Sequence, residues 1–79
     1  MKIKRMEKLR SRLQMAMKEN GTLHPDQRIS ICHDPIGGGY ELAIEAERLT
    51  NSYSYPILEI LMEGMINVLT REIHPIEGN

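Results

Sequence analysis

The feature that most constrains this 79-residue chain is an alternation of apolar and polar residues on both sides of three consecutive glycines. Within residues 28–47, Ile29 and Ile31 fall on one side, with Arg28, Ser30, Cys32 and Asp34 on the other. Tyr40, Leu42, Ile44 and Ala46 then share a side, opposite Glu41, Glu45 and Glu47. Successive side chains of a strand point to opposite faces, so a period of two marks a half-buried strand. One register satisfies both patterns. With His33 opposite Tyr40, Ile31 meets Leu42, Ile29 meets Ile44, and Arg28 faces Glu45, an opposite-charge pair contributing about 0.2–1 kcal/mol. A slip by one residue would turn the apolar side to water, so the register is well specified. Asp34-Pro35 opens the connecting turn, and Gly37, Gly38 and Gly39 supply backbone freedom at positive φ.

The flanks read as helices. Over residues 3–19, Met6, Leu9, Leu13 and Ala16/Met17 recur at steps of three and four and form one stripe. Gly21 is placed for a left-handed cap. Residues 21–27 form a linker. Pro56 suits the first turn of a second helix, over residues 56–73, with Ser54 as a candidate cap. Its apolar residues, Ile57, Leu58, Ile60, Leu61, Met62, Met65, Ile66, Val68, Leu69 and Ile73, spread beyond one narrow stripe. Gly64 costs about 1 kcal/mol against Ala inside a helix, which points to close approach of another backbone. Residues 75–79 form a tail.

The expected fold is α+β: a small α-β-β-α domain, two helices packed on an antiparallel hairpin. Two strands alone are marginal, and a chain of this length buries a small core. Homodimerisation completes it, by pairing edge strands into a four-stranded sheet or by packing helices around Gly64. Leu61, Gly64, Met65 and Val68 are the candidate dimer or partner interface.

Charge is nearly balanced overall, at −1, but unevenly placed. Residues 1–20 hold seven Lys/Arg and two Glu; residues 21–79 hold three Arg and nine acids. Basic residues crowd the start of the first helix, where they oppose its dipole. Lys4, Arg5, Lys8 and Arg12 are therefore a candidate surface for an anionic partner, and nucleic acid is one such partner. Glu41, Glu45 and Glu47 form a candidate acidic interaction face on the outer side of the second strand.

No catalytic, metal or cofactor pattern stands out. Gly37-Gly38-Gly39 leads into a strand with no Lys following, unlike a phosphate loop. Cys32 and His33, as strand neighbours, point to opposite faces and do not pair as nucleophile and base. His24, His33 and His74 lack zinc-site spacing, also with Asp26 or Cys32 included. Tyr53 and Tyr55 lie away from the basic cluster and suit packing on the hairpin better than base stacking. A lone cysteine, no membrane-length apolar run and no signal-peptide core suggest a cytoplasmic protein.

Residues 7–34 also resemble the small helical-hairpin aspartyl-phosphate phosphatases that regulate sporulation. The resemblance rests on Leu9-Arg10-Ser11-Arg12-Leu13, Gly21, Ser30 and Asp34, against a first helix of Leu-Arg-x-x-Leu type, a glycine loop and a second helix with Ser-x-x-x-Asp. It implies a helix through Ser30 and Asp34, which Pro35 and the glycines oppose, and the second half of the chain is unmatched.

The expected function is a small non-enzymatic interaction or regulatory protein, of the sort found in bacteria and their phages. It binds a protein partner, as a homodimer, without metal, cofactor or membrane. The first alternative is a nucleic-acid binder using the basic helix; the second is a bacterial regulator related to those phosphatases.

Overall fold

Good helix formers with an apolar face make Lys2–Asn20 a single helix, α1. A computed structural model describes residues 2–71. Met6, Leu9, Leu13, Ala16 and Met17 are all buried, as the spacing predicts. The helix ends at Gly21, whose φ of 88° is open to glycine. Its N–H donates to the Lys18 carbonyl at 3.2 Å, and the Thr22 N–H donates to the Met17 carbonyl at 2.9 Å. This paired closure satisfies carbonyls that a helix end leaves open, and it delivers Leu23 to the core.

Ile29–His33 (β1) and Tyr40–Ile44 (β2) pair antiparallel in the anticipated register: Ile29 with Ile44, Ile31 with Leu42, His33 with Tyr40. The helix that the phosphatase resemblance implies through Ser30 is thus a strand. The connecting turn closes through Asp34 N–H to the Gly39 carbonyl (2.8 Å) and Gly38 N–H to the Asp34 carbonyl (2.7 Å). Of the three glycines only Gly38 has a positive φ, 80°. Gly39 serves differently: a Cβ there would lie 3.0 Å from the backbone N and O of Tyr53. That contact belongs to a bridge in which Tyr40 and Tyr53 exchange backbone hydrogen bonds of 2.7 and 2.8 Å.

The second strand is shorter than expected. It stops at Ile44, and the chain reverses at Glu45, a non-glycine residue with φ 55°. Glu47–Arg48 (β3) then pairs back on Ala43 and Ile44, giving a three-stranded sheet in the order β1-β2-β3. The architecture is α+β in the order α-β-β-β-α. Two expectations fall with the longer strand. Ala46 is exposed in the turn instead of joining the apolar side. Arg28 has no partner strand residue at Glu45; Arg48 instead meets Glu41 at 3.1 Å.

Tyr55–Thr70 forms α2. Ser54 stands at its N-cap in extended geometry, without a side-chain hydrogen bond, and its carbonyl accepts from Leu58 N–H at 2.9 Å. Pro56 lies in the first turn, where a missing N–H costs nothing. The helix expected to reach residue 73 ends at Thr70: Arg71 is its C-cap in extended geometry, its N–H donating to the Asn67 carbonyl at 3.0 Å. The expected tail at 75–79 lies outside the described residues.

Three antiparallel strands between two helices set the helices running the same way. Arg5 reaches Glu59 and Glu63, and further along Arg12 borders a cleft with Asn67 and Glu19 one with Thr70. α1 packs over β1 and α2 over β2. Between the layers, Leu13, Leu23, Ile29, Leu42, Leu58 and Met62 are essentially inaccessible to water. Each such side chain contributes about 1.5–3 kcal/mol.

The glycines separate by role. Gly39→Ala forces backbone apart and should cost roughly 1–3 kcal/mol. Gly64→Ala meets no described residue within 4 Å and should add about 1 kcal/mol by helix propensity. Urea midpoints of the two variants, shifting in opposite directions, check this assignment.

Candidate functional site

Helix α2 has three flanks of different character. Leu58, Met62 and Ile66 are buried against α1 and the sheet. Glu59 and Glu63 lie beside α1, where the Arg5 guanidinium pairs with both, at 3.5 Å for Glu59. The third flank carries Ile57, Ile60, Gly64 and Val68. Ile57 is 48% exposed, Ile60 65% and Val68 67%. At 100° per residue these four span one row on the helix surface. Leu61 and Met65 edge the row, half-buried.

Beside this row runs an apolar groove of about 610 Å³. Met17 and Thr22, at the end of α1, form one wall, and Leu61, Gly64, Met65 and Val68 form the other. A second groove continues past Leu61 and Met65 to Leu49 and Tyr53. The cause is the width of the sheet. β3 is two residues long, and among the described residues no further strand supports the far side of α2.

The four residues expected at an interface, Leu61, Gly64, Met65 and Val68, are therefore together on one surface. Among the described residues Gly64 accommodates no other backbone, since a Cβ there would meet open space. Ile57, Ile60, Met17 and Thr22 complete the surface. The first two were legible as apolar residues of the helix. Met17 was legible as part of the α1 stripe, whereas Thr22 depends on where the Gly21 closure sends the chain, which apolar spacing does not report.

The basic residues divide. Arg5 is held by α2, Lys4 and Lys8 stand exposed on α1, and Arg12, also exposed, borders α2 beside Glu63 and Asn67. The acidic residues do not form a row. Glu41 is in β2 and paired with Arg48, Glu45 is in the turn, and Glu47 is in β3. Arg10, not among the candidate surface residues, is well covered. It donates to the Ile29 carbonyl at 3.0 Å, while Gln14 Oε1 accepts the Ile29 N–H at 2.9 Å. Together they occupy the outer edge of β1 at Ile29.

Other polar groups serve the fold. His33 and Tyr40 rings lie 5.0 Å apart, and Tyr40 stacks on Tyr55 at 4.2 Å. A hydrogen bond between the two phenols, reinforced by burial, pushes the Tyr55 hydroxyl up from its ordinary range. The Asp34 carboxylate accepts the Ile36 N–H at 3.0 Å and the Ser52 hydroxyl at 2.8 Å. The Gly37 N–H, then Ser52 and Ile36, hold its pKa below the usual carboxylate value. Ser52 Oγ also lies 3.1 Å from Glu41, tying the first turn to β2.

Among the described residues, no group of three or more His, Cys, Asp or Glu could hold a metal ion. No described helix is long and apolar enough to cross a membrane. Compared with protein-family models, curated proteins and solved structures, the chain matches none.

Asp34 gives a signed pH dependence. Its folded pKa lies below its unfolded value, so its contribution is present above about pH 4 and is lost as pH falls through the folded pKa. Asp34→Asn should flatten the decline of stability below about pH 4, read as urea midpoints from neutral to acid pH. An unchanged slope would remove Asp34 from the acid response.

Proposed function

We propose that the chain is a small non-enzymatic interaction protein that works by burying the free flank of α2 against protein. The carrying observation is the row Ile57, Ile60, Gly64 and Val68. It holds three exposed aliphatic side chains, no charge, and a groove of about 610 Å³ alongside. Single exposed apolar residues are ordinary, but a contiguous patch is characteristic of interaction surfaces. Among the described residues the core is built without Ile57, Ile60 and Val68. An aliphatic flank with a glycine in its middle suits a helix or loop that presents apolar side chains of its own.

The polar groups support the same reading by their occupation. Cys32 and His33 alternate across β1, Asp34 closes a turn, and the phenols stack on each other.

A second reading has its own observation. Lys4, Lys8 and Arg12 are exposed along α1, with no ion pair among the described residues. Such cations suit a phosphate backbone, with affinity falling steeply in salt. Tyr40 and Tyr55, which could stack bases, are stacked on each other instead.

Two variants separate the readings. Ile60→Asp with Val68→Asp changes only exposed positions, so the circular dichroism spectrum should be unchanged. Binding to protein, self-association included, should drop more than about a hundredfold, as for a charge placed in an apolar contact. Neutralising Lys4, Lys8 and Arg12 to Gln should leave that binding intact. Retained protein binding in the first variant, together with a low-salt mobility shift of nucleic acid abolished in the second, would move the function to α1.

A further inference from the structure

We propose that the occupant of the free flank of α2 is a second copy of this chain, laid antiparallel about a two-fold axis between Leu61 and Gly64. The inference rests on the flank being an interaction surface, and it names the partner.

Three features select a second copy. First, the flank reads the same in both directions. About a point midway between Leu61 and Gly64, Ile57 is paired with Val68, Ile60 with Met65, and Leu61 with Gly64. Any helical stripe at steps of three and four has this reversal, but the content here is self-complementary: the one bulky residue nearest the axis, Leu61, falls opposite the one residue without a side chain. No described residue fills the space above Gly64. A two-fold contact requires this kind of match between a surface and itself.

Second, the charges permit it. The row carries no ionisable group. Glu59 and Glu63 are turned to Arg5, and Arg48 at the far end of the second groove is held by Glu41. Arg71, just past the end of α2, distinguishes the two orientations. Parallel copies would set the two Arg71 side by side and Gly64 against Gly64. Antiparallel copies separate the two Arg71 by about 25 Å, from 1.5 Å per residue.

Third, the competing route to a dimer is obstructed. Sheet extension needs a free strand edge. On β1, Gln14 and Arg10 already take the N–H and carbonyl of Ile29, and β3 offers two residues, both charged. The helix route therefore remains where the strand route is short. A single helix pair covers less than the about 800 Å² per partner of a standard interface, so dissociation should be on the order of micromolar.

The test uses the full chain. Sedimentation equilibrium should give a dimer at tens of micromolar and monomer on dilution. Gly64→Ala should weaken association roughly tenfold while leaving the monomer folded, because a methyl then occupies the site for Leu61. Orientation is read with Cys32→Ser chains carrying either Ile57→Cys or Val68→Cys, mixed and treated with a short bismaleimide. The mixed 57–68 product should dominate. Dominant 57–57 and 68–68 products, or association untouched by Gly64→Ala, would overturn the arrangement. A monomeric mass with Ile60-dependent binding of a different protein would overturn the second copy while the surface stands. A monomeric mass with no such binding would overturn both.

Discussion

Two helices rest on a floor that is three strands wide at its centre and hardly more than two elsewhere. That floor depends on the pairing of β1 with β2, in which Ile29, Ile31 and His33 meet Ile44, Leu42 and Tyr40. The inward side of this ladder buries Ile29 and Leu42 and supplies a surface on which both helices shed water. Antiparallel strands with one solvated face are built for this use. α1 takes β1 and α2 takes β2, and the two helices then bury Leu9, Leu13, Leu58 and Met62 between them. What the floor cannot do is extend past α2. The exposed row from Ile57 to Val68 is the geometric remainder of that shortfall, and the functional reading follows from it.

Electrostatics reinforces the arrangement without creating it. The basic start of α1 is poorly suited to a helix N-terminus, where no acid stands in the first turn. Arg5 offsets part of this by pairing with Glu59 and Glu63 on the neighbouring helix. Exposed pairs of this kind contribute under about 1 kcal/mol and fade with salt. Arg10 does more structurally. By capping the Ile29 carbonyl it connects α1 to β1 and removes one place where a foreign strand could add. Charge thus decides which surfaces are open: the edge of β1 is partly closed, the Glu-bearing flank of α2 is occupied, and the aliphatic flank is left.

Much of this was legible in the residues, for reasons that can be named. The alternation in Ile29–His33 and Tyr40–Ile44 admits one register that keeps both apolar sides inward, and the strands take it. The stripe Met6, Leu9, Leu13, Ala16/Met17 has one helical reading, and Gly21 one natural use. β3 was not legible. The reversal at Glu45 and Ala46 lacks the glycine or asparagine that usually marks a two-residue turn, and Glu45 holds a left-handed φ of 55° in their place. Tertiary pairing of Arg48 with Ala43 overrides that local preference. Missing β3 also misplaced the acidic residues, because Glu45 and Glu47 were counted along a strand that had already ended. Leu61, Gly64, Met65 and Val68 stand out in the sequence as apolar excess on α2. Their openness does not, because it depends on the width of the sheet.

The claim at the centre is that the flank of α2 is open in the single chain and covered on association. Methyl-resolved NMR with a soluble paramagnetic agent measures this directly. In dilute protein the Ile57, Ile60 and Val68 methyls should broaden strongly while those of Leu58, Leu13 and Leu42 stay sharp. At high concentration, or with a bound partner, the first three should become protected. Protection of Ile60 and Val68 already in the dilute monomer would mean that the chain covers this flank itself, and the account would fail there.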